Sequence, residues 1–173
     1  MHAGISKSIN AASINSEADM RQIILGVLFG LFSLAAQADA FSVVFKTHGN
    51  FSDVRNVLVS SIEGKGLKIN HSNLIADMLE RTGPAVGRTT RVYGQAEQFE
   101  FCSADISRAM MEADPHAIVM CPYSISIYNL PQDPKTIYLA FRKPGPTANP
   151  RLEKVLERVN GLLTSIIKET IEF

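Results

Sequence analysis

The amino-acid sequence predicts an α+β fold, a mainly antiparallel sheet carrying helices on one face. Three observations predict it. Residues 123–128 and 137–142 each alternate apolar and polar side chains, and a Pro-containing turn joins them, which is the pattern of a hairpin. Residues 152–167 repeat apolar side chains at helical spacing over more than four turns. Strand and helix patterns follow one another in mixed order, which together with a hairpin points to α+β rather than to a doubly wound parallel sheet.

The elements follow in order. Residues 41–46 are rich in β-branched and aromatic side chains, with Val43 and Phe45 on one face, and read as a strand. Asn50 stands where a helix N-cap belongs, with Asp53 near the positive end of the dipole. Val54, Val57, Leu58 and Ile62 follow at helical spacing until Gly64-Lys65-Gly66 stops the helix. Residues 67–71 read as a short strand. Ser72 or Asn73 then caps a short helix with Leu74, Ile75, Met78 and Leu79 on its buried side, ended by Thr82-Gly83-Pro84. Residues 86–94 read as a loop. Residues 98–102 form a strand with Phe99 and Phe101 facing one way. Ser103 caps a helix holding Ile106, Ala109, Met110 and Ala113, which Asp114-Pro115 ends. Residues 117–120 are expected to be extended, and Pro122 opens the first strand of the hairpin. Tyr123, Ile125 and Ile127 alternate with Ser124, Ser126 and Tyr128. After the turn at 130–134, Ile137, Leu139 and Phe141 alternate with Tyr138, Ala140 and Arg142. Asn149 caps the last helix and Pro150 occupies its first turn. Its stripe is Leu152, Val155, Leu156, Val159, Leu163, Ile166 and Ile167.

The N-terminal residues read differently. Arg21 precedes an apolar run from Ile23 to Ala36, and Ala38-Asp39-Ala40 supplies a small-x-small cleavage pattern. The run is about 14 residues long, short of the ~20 that a membrane span needs. Residues 20–40 are therefore expected to be a signal peptide. The domain is expected to span 41–173, starting at Phe41 or, as second choice, at Asp39, in the periplasm or outside the cell. The rival reading is an uncleaved anchor. Residues 1–19 hold Glu17 and Asp19 and no periodic apolar pattern, and are expected to be a mis-called extension ahead of a true start at Met20.

Charge narrows the partners. The chain has 17 basic and 17 acidic residues, and removing residues 1–40 leaves it near neutral. Neither a nucleic-acid footprint nor a membrane-surface helix follows from that balance. Cys102 and Cys121 both lie in the exported part, where two thiols of one small domain often pair. A bridge would close a loop of about 20 residues, worth roughly 3 kcal/mol. The pair is read first as a structural disulfide, then as a redox site, then as free or metal-bound thiols. Cys102 lies at a predicted helix N-terminus, where a dipole can activate a thiol, but no Cys-x-x-Cys is present.

These landmarks resemble the bacterial family known as domain of unknown function 302 (DUF302). The resemblance covers nearly all of residues 41–173. Its carriers are Phe99-Glu100-Phe101 leading to a small polar helix start, Asp114-Pro115, Pro122 opening a strand with Ile125, Ile127 and Tyr128, and residues 138–144. It implies a curved antiparallel sheet carrying helices, similar to the TATA-binding-protein arrangement. It implies no activity, because the family has no agreed one. Family members commonly carry Asn-Pro where this chain has Cys102-Ser103, and Leu-Pro where it has Cys121-Pro122. Both departures place a cysteine at a landmark, which implies a secreted branch that uses the two together.

Other chemistry is thin. His48, His71 and His116 lack zinc-helix spacing, and read as surface residues. A site of Cys102, Cys121 and His116 is conceivable because all three flank one helix. Gly83-Pro84-Ala85-Val86-Gly87 lacks the lysine and context of a phosphate loop and reads as a turn. Asp77 with Glu80, and Arg88 with Arg91, read as solvated charges. The open sheet face is of more interest: Ser124, Ser126, Tyr128, Tyr138, Ala140 and Arg142 make it semi-polar with tyrosines, which suit an interface or a small-ligand groove. An ordinary wet sheet face is the bland alternative. The reading is thus a non-catalytic binding or accessory domain without cofactor. Its partner would be a small ligand, another protein or a second copy of the chain, and neither nucleic acid nor, after cleavage, a membrane. The alternative is redox or metal handling through Cys102 and Cys121.

Overall fold

A computed structural model describes residues 41–172; the expected signal peptide and the 1–19 extension lie outside the described residues. The described residues form five strands and four α-helices. The strands are β1 (Ser42–His48), β2 (Ile69–Leu74), β3 (Gln95–Phe101), β4 (Tyr123–Leu130) and β5 (Asp133–Arg142). The helices are α1 (Phe51–Gly64), α2 (Ile75–Thr82), α3 (Ala104–Ala113) and α4 (Pro150–Ile171). The sheet order is β1-β5-β4-β3-β2, with every neighbouring pair antiparallel.

Alternation builds the two faces. Phe99, Phe101, Ile125, Ile127, Ile137, Leu139 and Phe141 are buried on one face, and Val43 and Phe45 pack against them at the β1 edge. Leu58 and Ile62 of α1, Met110 of α3 and the α4 stripe cover that face. All seven stripe residues from Leu152 to Ile167 are buried, as the periodicity predicts. Burying a leucine or isoleucine side chain contributes about 1.5–3 kcal/mol, so this helix is a principal source of stability. The predicted caps are present at three helices. The Asn50 side chain accepts from Ser52 N–H, that of Ser103 from Ile106 N–H, and that of Asn149 from Arg151 and Leu152 N–H.

Five expectations need correction. β1 runs on to His48, because Thr47 and His48 still pair with Ile137 and Thr136. β2 spans Ile69–Leu74 rather than 67–71, so Ser72 and Asn73 are strand residues, not caps. Their side chains bond instead across the ladder, Ser72 Oγ to Glu97 and Asn73 Nδ2 to Glu100. α2 therefore starts without a side-chain cap. It buries only Ala76; of its predicted buried side, Leu74 ends β2 and is 56% exposed, Met78 is 38% exposed, and Ile75 and Leu79 are half-buried. β3 begins at Gln95, three residues earlier than expected, and this brings Glu97 into the sheet. Finally, Pro115–Met120 is a 3-10 helix and not an extended segment. Pro115 presets its first turn, and the Asp114 carboxylate accepts from His116 N–H.

Candidate functional site

The open face is built in rows by strand register. Ala96 pairs with Tyr128, Tyr128 with Tyr138 and Tyr138 with Lys46. The next open-face row is Asn73, Gln98, Ser126, Ala140 and Val44. Beyond it lie Glu100, Ser124 and Arg142. The first row is thus aromatic, the middle row small, and the last polar. Its small side chains leave a hollow of about 430 Å³, lined among others by Tyr93, Gln98, Ser126, Tyr128, Val44 and Arg142.

The aromatic end is well fixed. Tyr128 and Tyr138 stack with centroids 5.1 Å apart, and Tyr93 meets Tyr128 edge-on at 5.4 Å. Burial, together with the two neighbouring phenols, pushes the Tyr128 hydroxyl above its usual range. Tyr93 comes from the loop before β3. Arg91 pins that loop, its Nε donating to Tyr93 O at 3.0 Å and its Nη2 to Gly94 O at 2.8 Å. Gly94 is required there, since a Cβ would stand 2.5 Å from Asn129 Oδ1. That buried oxygen accepts from Gln95 N–H at 2.7 Å. Sequence reasoning found Tyr128 and Tyr138 by alternation but missed Tyr93, which no periodicity marks.

The other end is polar. Gln98 Nε2 donates to Ser126 Oγ at 3.0 Å, and Asn73 Nδ2 to Glu100 Oε1 at 2.8 Å. Arg142 is exposed and has no ion pair among the described residues. It lies four residues from Tyr138 on β5, roughly 13 Å along the strand. Phe41 and Val44, 84% and 50% exposed, add an apolar rim. All six predicted open-face residues therefore share one surface, and all but Tyr138 line the hollow itself.

The cysteines are neighbours but not a bridge. Cys102 follows β3 directly and Cys121 precedes β4, and their Sγ atoms lie 2.8 Å apart. A disulfide bond is 2.03–2.05 Å long, so both residues are thiols here and the expected bridge is absent. The Cys121–Pro122 peptide is cis. Ser107 Oγ stands 3.5 Å from Cys121 Sγ and 3.1 Å from Tyr123 Oη. Burial, reinforced by the adjacent Cys121, pushes the Cys102 thiol up to about 11. Among the described residues no group of three or more His, Cys, Asp or Glu converges as a metal would require. His116 is accordingly not joined to the two thiols in such a group.

A second polar feature lies on the covered face, and sequence reasoning missed it. Glu97 points toward the helices and is 6% exposed. Arg55 of α1 grips it with two bonds, Nε to Oε2 at 2.9 Å and Nη2 to Oε1 at 3.0 Å. Ser72 Oγ donates to Oε1 at 2.5 Å, and the Arg55 guanidinium lies 5.0 Å above the Phe99 ring.

The architecture defines an α+β domain with one sheet face covered by α1, α3 and α4 and the other bearing a hollow. Residues 43–170 match the family model described as "Domain of unknown function DUF302", and the chain belongs to that family. Among solved structures the chain is similar to an uncharacterized conserved DUF302 protein from Bacillus stearothermophilus. The two share 12% identity with a TM-score of 0.64, over 76% of this chain and 98% of that one. That likeness supports the fold. A search of the curated proteins found no match.

Proposed function

We propose that the chain is an exported, non-catalytic binding domain whose open-face hollow takes a small organic anion with a flat apolar body. The body stacks against Tyr93 and Tyr128, and the charge lies at Arg142. One observation carries this reading: small side chains separate a packed tyrosine cluster from an arginine without an ion-pair partner among the described residues. Aromatic faces attract planar groups, and a guanidinium fork suits carboxylates and similar anions. Export is supported by the apolar run at 23–36 and the Ala38-Asp39-Ala40 pattern.

Titration with two probes of one shape tests the reading. Naphthalene-2-sulfonate should bind and perturb tyrosine fluorescence, and 2-naphthalenemethanol should bind more weakly. Arg142→Gln should weaken only the sulfonate, by about tenfold, the loss of one charged hydrogen-bonded contact. Tyr128→Ala should weaken both. Failure of both probes, with a concentration-dependent dimer in sedimentation that Tyr128→Ala abolishes, would replace the ligand with a second copy of the chain.

A second reading, redox chemistry at Cys102 and Cys121, has its own support in the contact between the two thiols. Iodoacetamide counting of thiols before and after exposure to a mild disulfide tests it.

A further inference from the structure

The two thiols differ in their surroundings, and the difference assigns roles. Nineteen residues apart in sequence, they meet because β3 and β4 are paired neighbours and the α3 helix with its 3-10 return joins their ends. Both are half-buried and lie outside the strand ladders, in the short segments that lead into α3 and out of the 3-10 helix. Partial exposure leaves both within reach of a small reagent.

Ser107 sets the polarity. Its hydroxyl lies between Tyr123 Oη at 3.1 Å and Cys121 Sγ at 3.5 Å. With the Tyr123 O–H donating to Ser107 Oγ, the Ser107 proton is free to donate to Cys121, so a negative charge on that sulfur is solvated from within the protein. Cys102 has no side-chain hydroxyl donor of this kind; its partners are the Tyr123 backbone N–H and Cys121 itself.

We propose that the pair is a reversible dithiol–disulfide couple whose oxidising substrate is a low-molecular-weight disulfide, with Cys121 as the attacking sulfur and Cys102 as the resolving one. This rests on the redox reading of the pair and adds the substrate class and the roles. In the first step the Cys121 thiolate attacks one sulfur of R–S–S–R. A Cys121–S–S–R bond forms, the R–S–S–R bond breaks and RS⁻ leaves. In the second, Cys102 loses its proton to a leaving thiolate and attacks the Cys121 sulfur, expelling the second RS⁻. The two cysteines lose two electrons and two protons, and the small disulfide gains both as two RSH. High thiol concentration reverses the sequence.

Exposure of the reduced, purified chain to oxidised glutathione, with acid quenching and mass analysis, tests the assignment. The wild-type chain should lose both thiols, carry no adduct and release two glutathiones per molecule. Cys102→Ser should accumulate a single glutathione adduct on Cys121. Cys121→Ser should react about tenfold more slowly, and Ser107→Ala should slow the wild-type reaction by a similar factor. A measurement free of variants stands beside these: substoichiometric iodoacetamide on the wild-type chain, followed by peptide mapping, should label Cys121 first. Labelling of Cys102 first, or equal rates for the two single variants, would overturn the roles and leave the redox reading standing. Two free thiols after prolonged exposure would overturn the redox reading itself.

Discussion

At the scale of single residues, Glu97 shows how an apolar face accommodates a charge. It stands in register with Phe99 and Phe101, where alternation demands an apolar side chain. Burial alone would raise its pKa, but the hydrogen bonds from Arg55 and Ser72 and the guanidinium charge outweigh burial and hold it below its ordinary 4.5. Because the folded pKa is the lower one, the ionised pair stabilises the fold above the ordinary carboxyl range. That contribution is lost as pH falls through the folded value. Glu97→Gln should cost about 1.5–3 kcal/mol near pH 7, the range for charge-assisted bonds. The gap from wild type should close on acidification, and urea denaturation at neutral and acid pH measures both. An unchanged gap at low pH would show that Glu97 acts by shape rather than charge. The signal was present in the sequence, since Glu97 has the parity of Phe99 and Arg55 lies three residues before buried Leu58. Starting the strand at Gln98 hid it. Tyr93 left no comparable trace, because its place in the hollow depends on Arg91, Gly94 and Asn129 meeting across a loop.

At the scale of elements, legibility followed length and capping. α4 was readable because its 22 residues carry the stripe and an Asn-Pro start. α2 has 8 residues and no side-chain cap, and the polar residues ahead of it were needed across the sheet instead. The 3-10 helix at Pro115–Met120 was illegible because four apolar residues in a row carry no period that separates a tight turn from a strand. Asn149 joins two elements at once. Its Oδ1 accepts from Arg151 and Leu152 N–H, while its Nδ2 donates to Ala113 O at 3.0 Å and ties the start of α4 to the end of α3. Asn149→Ala should therefore cost about 2 kcal/mol, at the upper end for a cap. Asn149→Asp keeps the cap but sets a carboxylate against the Ala113 carbonyl, and should recover only part of the loss. Thermal melting of the two variants checks this, and full recovery with Asp would show that the bond to Ala113 contributes nothing.

At the scale of the whole molecule, the start of the sheet gives the expected cleavage point a physical test. β1 begins at Ser42 and pairs along its length with β5, up to Ser42 opposite Arg142. Just beyond that ladder, Lys143 N–H donates to Phe41 O at 3.0 Å. A cut between Ala40 and Phe41 spares both that bond and the whole ladder. A cut after Phe45 removes Val43 and Phe45 from the edge of the core and strips β5 of one of its two neighbours, which exposes an unpaired strand edge. A chain beginning at Phe41 should accordingly unfold in one cooperative transition. A chain beginning at Thr47 should be destabilised, because it loses two half-buried side chains, each worth part of the ~1.5–3 kcal/mol of full burial, together with the ladder bonds of β1. Denaturant midpoints of the two chains measure the difference, and equal midpoints would mean that β1 adds nothing to the fold. N-terminal sequencing of the protein purified from cells supplies the second half. Phe41 as first residue would agree with a leader that ends where the folded domain begins, whereas Met1 or Met20 would rule out cleavage and leave the apolar run at 23–36 as an anchor.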